Sequence, residues 1–307
     1  MQPVTMQSIT LLDGGMGREL ARRGAPFRQP EWSALALYQQ PSAIEQIHCD
    51  FITSGAQVIT TNSYAVVPFH IGEQRFQADA KTLTELAGRL AKNAVKTTVK
   101  NSANFCRIAG SLPPLFGSYR PDLFQVDRVK ELALPLIEGL SPYVDFWLCE
   151  TQSAIIEPQM IQPLLPDDRP LWVSFTLQDE QPSTQPCLRS GESVQLAVEK
   201  MVELGVSAIL FNCCQPEVIE NAIHITKSTL TALNASHIQI GAYANAFPPQ
   251  PQNATANDGL DDIRQDLDSQ AYLGWAKKWA NAGATLIGGC CGIGPEHIRA
   301  LADYFKP

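Results

Sequence analysis

The stretch "AILFNCCQPEVIENAIHITKSTLTALNASHIQIGAYAN" (208–245) decides the fold. It opens on a short apolar, β-branched run, "AILFNC" (208–213), and continues into "PEVIENAIHITKSTLTAL" (216–233), where apolar residues recur at helical spacing. It ends on a second run of strand character, "IQIGAYAN" (238–245). A strand, a helix of this length and a second strand make one βαβ unit, and such a unit sets its two strands parallel. The same alternation runs the length of the chain. Further strands are predicted at 9–13, 57–62, 106–113, 145–150, 171–176 and 284–290. Helices are predicted at 41–55, 80–100, 126–140, 192–205 and 268–283. Eight strands in βα order predict a closed (β/α)₈ barrel, here as a single domain over residues 1–307.

In such a barrel the C-terminal strand ends converge on one face, and chemistry-bearing residues stand at those ends: Asp13, Thr61 and Asn62, Glu150, Asn212 and Cys213, Asn245, and Cys290 with Cys291. The segments that follow strands are long at 63–79, 113–125 and 247–262, as expected of loops that build a site on that rim. The last of them, rich in Pro, Gln, Asn and Gly, is predicted to be a mobile lid. Adjacent cysteines on a regular strand point to opposite faces. Cys290 and Cys291 can therefore serve one site only if the strand ends and the chain bends there, as Gly288, Gly289 and Gly292 permit. Cys213 stands 77 positions earlier, but on a barrel rim it and the pair are separated by one strand. Three converging thiolates suit zinc, which takes tetrahedral sulfur ligation and in catalytic sites leaves a fourth position open. The other readings of these cysteines are a buried core cluster or a closed structural zinc.

Composition narrows the classes of function. A net charge of −8 among 307 residues gives no basic footprint for nucleic acid or an anionic membrane surface, and no apolar run is long enough to span a bilayer. The N-terminal "MQPVTMQSIT" lacks the basic and apolar regions of a secretory leader, so the expected compartment is the cytoplasm. Eight cysteines, two pairs of them adjacent, do not form the spaced framework of a small secreted domain and read as reduced thiols. The five histidines form no metal or nucleophile spacing, and no serine lies in a nucleophile elbow. No motif assigns an oligomeric state.

"LLDGGMGREL" (11–20), "GAQVITTNSY" (55–64), "GSLPP" (110–114), "CET" (149–151), "FNCC" (211–214) and "GGCCGIGPEHI" (288–298) together resemble the homocysteine S-methyltransferase family, over nearly the whole chain and in the family's order. The resemblance implies zinc held by Cys213, Cys290 and Cys291, with homocysteine binding through its sulfur and attacking a methyl group. It also implies Asp13 and Gly14 beside the amino acid moiety, Glu150 on its ammonium, Asn212 behind the ligand cysteine and Trp32 against an onium donor. Outside the resemblance, Asp13 reads as a turn residue, Glu150 as a surface ion pair and Trp32 as packing. Phe211 stands where the family usually has glycine, and Cys214 leaves two candidates for the strand 6 ligand. In size the chain is nearest the stand-alone type, which implies S-methylmethionine, or S-adenosylmethionine, as donor. The alternatives are another thiol or selenol acceptor, and a barrel that binds zinc without catalysis.

Overall fold

The computed structural model describes residues 8–99, 105–257 and 259–305. The first seven residues, Lys100 at the end of one predicted helix, Asp258 within the predicted lid, and Lys306 and Pro307 lie outside them. Eight strands follow one another in sequence: β1 (Thr10–Leu11), β2 (Val58–Thr60), β3 (Arg107–Leu112), β4 (Phe146–Gln152), β5 (Leu171–Phe175), β6 (Ala208–Asn212), β7 (Gln239–Tyr243) and β8 (Leu286–Ile287). All pair in parallel in the order β1-β8-β7-β6-β5-β4-β3-β2. The seam between β1 and β2 is closed by a single bridge, Leu12 to Val58, and by the Gln57 N–H donating to the Leu11 carbonyl at 2.7 Å. Every predicted strand is present.

The predicted helices are also found, with one extended: the helix expected to begin at residue 80 begins at Glu73 and runs to Thr98. The segment 63–79 is therefore mostly helical, with a short turn at Pro68–Ile71 before it. Gly72, at φ 80°, separates the two, a left-handed conformation that glycine adopts without strain. Polar first turns in "EQRFQADA" conceal the helix, because Phe76 and Ala80 are its only buried residues there. Helices at Met16–Arg22, Ala34–Gln39, Ile156–Ile161 and Pro295–Phe305 complete the outer layer.

Strand alternation sorts the side chains. Leu12, Val58, Ala109, Phe146, Leu148, Trp172, Ala208, Leu210 and Leu286 fill the barrel interior, whereas Ile59, Trp147, Cys149, Val173, Ile209, Phe211 and Ile287 pack outward against the helices. One step further toward the C-terminal ends, the same inner face carries Ser111, Glu150, Ser174, Asn212 and Tyr243, all buried. The apolar plug thus ends in a polar layer, and the site is built on it.

Candidate metal and substrate site

Were β6 to continue in regular alternation, Cys214 would follow Asn212 to the inner face and Cys213 would point out. The chain does the reverse. Cys213 takes φ 53°, in the left-handed region, which turns its side chain into the barrel mouth and leaves Cys214 fully buried in the outer core. A β-carbon residue is strained there, so surrounding bonds must hold it. The Cys213 carbonyl accepts from the Tyr119 hydroxyl at 3.1 Å and from the Thr176 hydroxyl at 3.2 Å. Trp32, Tyr119 and Thr151 share this positive φ, and all four residues line one cavity of about 170 Å³ at the C-terminal mouth.

Cys290 and Cys291 reach the same point by a different device. Past β8 the Gly289 N–H donates to the Asp13 carbonyl at 2.9 Å and the Cys290 N–H to the Ala244 carbonyl at 2.9 Å, after which the chain turns. Gly292 alone of the expected glycines needs positive φ, at 85°. Gly289 is required for space instead: a β-carbon there would lie 2.1 Å from Ile293 Cγ2, and one on Gly15 would lie 2.5 Å from the Cys290 carbonyl oxygen.

The sulfur atoms of Cys213, Cys290 and Cys291 lie within 4.8 Å of one another. Three thiolates on a tetrahedral zinc at about 2.3 Å would stand about 3.8 Å apart, so this donor set fits the ion in both softness and spacing. None of the three is in a disulfide. The Cys213 thiol is held well below the ordinary range by hydrogen bonds from Cys290 and Cys291, and further by Tyr119 and Asn245, against its burial. Among the described residues this is the one such group of potential ligands.

The homocysteine S-methyltransferase family profile matches residues 10–305. This chain belongs to the homocysteine S-methyltransferase family. Homocysteine S-methyltransferase 1 of Brassica oleracea var. italica is 27% identical, over 96% of this chain and 93% of that one. A selenocysteine Se-methyltransferase of the same plant is 26% identical, over 95% and 87%. The crystal structure of the homocysteine methyltransferase MmuM from Escherichia coli, in its metallated form, superposes with a TM-score of 0.78 at 27% identity, covering 97% of this chain and 96% of that one.

Within this homocysteine S-methyltransferase barrel, two buried carboxyl groups flank the thiols. Asp13 accepts from the Thr60 N–H at 2.8 Å and the Thr60 hydroxyl at 3.3 Å; burial, with the nearby Glu150, lifts it to about 8. Glu150 accepts from the Ser111 hydroxyl, and burial raises it to about 7. Asp13, Gly14, Glu150 and Trp32 all line the cavity. Asn212 does not. It stands behind the wall, accepting from the Thr151 N–H at 3.0 Å and the Ser174 hydroxyl at 2.6 Å and donating to the Thr151 hydroxyl at 2.8 Å. Its amide faces Cys290 Sγ at 4.0 Å, whereas Asn245 faces Cys213 Sγ at 4.0 Å.

The segment 247–262 covers the mouth. Asn257 accepts from Trp32 Nε1 at 2.8 Å and donates to the Phe69 carbonyl at 3.1 Å, and Gln29 Nε2 donates to the carbonyls of Ala256 and Gly259 at 2.9 and 2.7 Å. His70, for which the sequence offers no pattern, stands in the wall against Trp32, with ring centroids 6.2 Å apart, and burial lowers it to about 4, so it is neutral at physiological pH. Tyr119 is likewise absent from the sequence reading, and Thr60, Ser111 and Tyr243 stand inside stretches quoted there without being singled out. Tyr119 lies in the long rim segment 113–125, and that length is the one signal that marks its neighbourhood.

Proposed function

We propose that the protein transfers a methyl group from a sulfonium donor, S-methylmethionine foremost, to the thiol of homocysteine, forming methionine, with zinc as its metal. The observation that carries this reading is the convergence of Cys213, Cys290 and Cys291 beside two buried carboxyl groups in one cavity at the barrel mouth. Zinc held by the three thiols would supply an open fourth position at which a substrate thiol gives up its proton at neutral pH. Glu150, and Asp13 beside it, face the place where an amino acid's ammonium would sit, and a charge-assisted hydrogen bond would orient it. Trp32 and His70 offer aromatic and uncharged surface to a cationic donor, which gains from a ring face and from a wall without competing positive charge. The segment 247–262 keeps water from the donor.

The displacement is balanced within the two substrates. The homocysteine sulfur forms a bond to the donor methyl carbon as the methyl–sulfonium bond breaks, and the bonding pair returns to the donor sulfur, neutralising it. The thiol proton passes to solvent. We read residues 1–307 as one domain and place the protein in the cytoplasm. Its eight unpaired cysteines suit a reducing compartment, and no described helix is long and apolar enough to cross a membrane.

The likeness to a selenocysteine Se-methyltransferase, close in identity to that of the homocysteine enzymes, keeps a selenol acceptor as the second reading. Zinc-loaded protein given homocysteine with S-methylmethionine or S-adenosylmethionine in turn should form methionine, and Cys291→Ala should abolish turnover and lower the bound metal. Turnover with selenocysteine alone would move the acceptor. Stoichiometric zinc with no turnover on any pair would leave a metal-binding barrel.

A further inference from the structure

We propose that Tyr119 is a positioning residue for the metal ligand at Cys213, with the buried Arg189–Asp179 ion pair as its anchor. The proposal rests on Cys213 being a ligand, and the experiment below separates the two claims. The Tyr119 hydroxyl lies 3.1 Å from Cys213 Sγ and 3.1 Å from the Cys213 carbonyl, so one O–H is shared between sulfur and backbone at the residue whose left-handed φ aims the ligand. The ring itself is held from behind. The Arg189 guanidinium sits 4.8 Å over its centroid, a contact that gains from desolvation, and both charged side chains of the 2.7 Å Arg189–Asp179 pair are fully buried.

A buried ion pair is costly unless further hydrogen bonds offset its loss of water, and here such bonds, which leave Arg189 Nε alone without a partner among the described residues, tie three loops together. Asp179 accepts from the N–H groups of Gln215, two residues after Cys213, at 3.0 Å and of Gln250 at 3.1 Å. Arg189 donates to the carbonyls of Gln250 at 3.1 Å and Pro251 at 3.4 Å. The β5–β6 connection thereby fixes Tyr119 on the β3–β4 connection, the chain beside Cys213, and the first residues of the 247–262 cover. A hydrogen bond donated to a thiolate withdraws charge from sulfur and fixes its direction, and losing such an outer contact weakens metal binding by tenfold or more.

Cobalt(II) in place of zinc reads this directly through the sulfur-to-cobalt charge-transfer absorption. Tyr119→Phe removes only the hydroxyl, and its fold is checked by circular dichroism. The expected result is one bound cobalt whose charge-transfer band moves to longer wavelength, as an unrestrained sulfur becomes the better donor, and whose extraction by EDTA is about tenfold faster. A ring-fluorinated tyrosine at 119, a stronger donor, should move the band the opposite way. Unchanged band position and release rate in Tyr119→Phe would overturn the proposal. Cys213→Ser serves as the separate control: full retention of the thiolate absorption in that variant would remove Cys213 from the ligand set and sink the metal-site reading itself.

Discussion

Glu150 shows how a single residue acquires a role from its place on a strand. In "DFWLCE" the interior takes Phe146 and Leu148, and the next residue on that face is Glu150, a carboxyl group set on the apolar plug. Its bond from Ser111 does not offset the loss of water, so its affinity for protons rises, and under the proposed function a substrate ammonium would supply the charge that the site lacks. Glu150→Gln keeps shape and the Ser111 bond while deleting that charge. A hydrogen bond to a charged group contributes about 1.5–3 kcal/mol, so the KM for homocysteine should rise about ten- to hundredfold, with a smaller change in kcat and no change in bound metal. Steady-state kinetics over a homocysteine series checks this, and an unaltered KM would place the ammonium elsewhere.

At the scale of elements, the eight strands were legible because short β-branched runs between helical periods leave few other arrangements, and the strand-end chemistry followed from barrel geometry. The choice between Cys213 and Cys214 was not legible, because alternation favours Cys214 and only the left-handed turn, held by Tyr119 and Thr176, reverses it. Arg189 and Asp179 left no sequence signal either, since they pair across a connection that gains its shape from the loops it binds. The helix Pro41–Ser54 carries a feature of stability alone: His48 is fully buried, and neither ring nitrogen has a partner among the described residues. Burial lowers its proton affinity to about 4, against 6.5 for an unburied ring. Between those values the unfolded chain takes up a proton that the native state refuses, so stability falls as pH drops from about 6.5 toward 4. His48→Leu should therefore raise the unfolding free energy measured in urea at pH 7.5 and raise it further at pH 5, by about 2 kcal/mol more. An equal gain at the two pH values would show that His48 is not held neutral.

Across the whole molecule, the active face is closed by segments distant in sequence, and their contacts set how substrates enter. The cover at 247–262 is joined to the β1 side through Gln29 and Trp32, to Phe69 beyond β2 through Asn257, and to the β5 side through Arg189. It makes one hydrogen bond each with Trp32 and Phe69 and three with Gln29, all at half-buried or exposed positions and each worth about 1 kcal/mol, whereas its contact with Arg189 and Asp179 is a buried charge network. The segment should then open as a flap hinged near Gln250 and Pro251, with Asn257 at the moving end. Homocysteine together with a non-reactive sulfonium analogue should slow proteolytic cleavage within 247–262, since a filled cavity adds contacts that only the closed state makes. Asn257→Ala, which frees Trp32 Nε1 and the Phe69 carbonyl at once, should speed cleavage severalfold and raise the donor KM while the bound metal stays constant. If the cleavage rate is the same with and without ligands, and the same in Asn257→Ala, the segment is a fixed wall and donor access must run by another route.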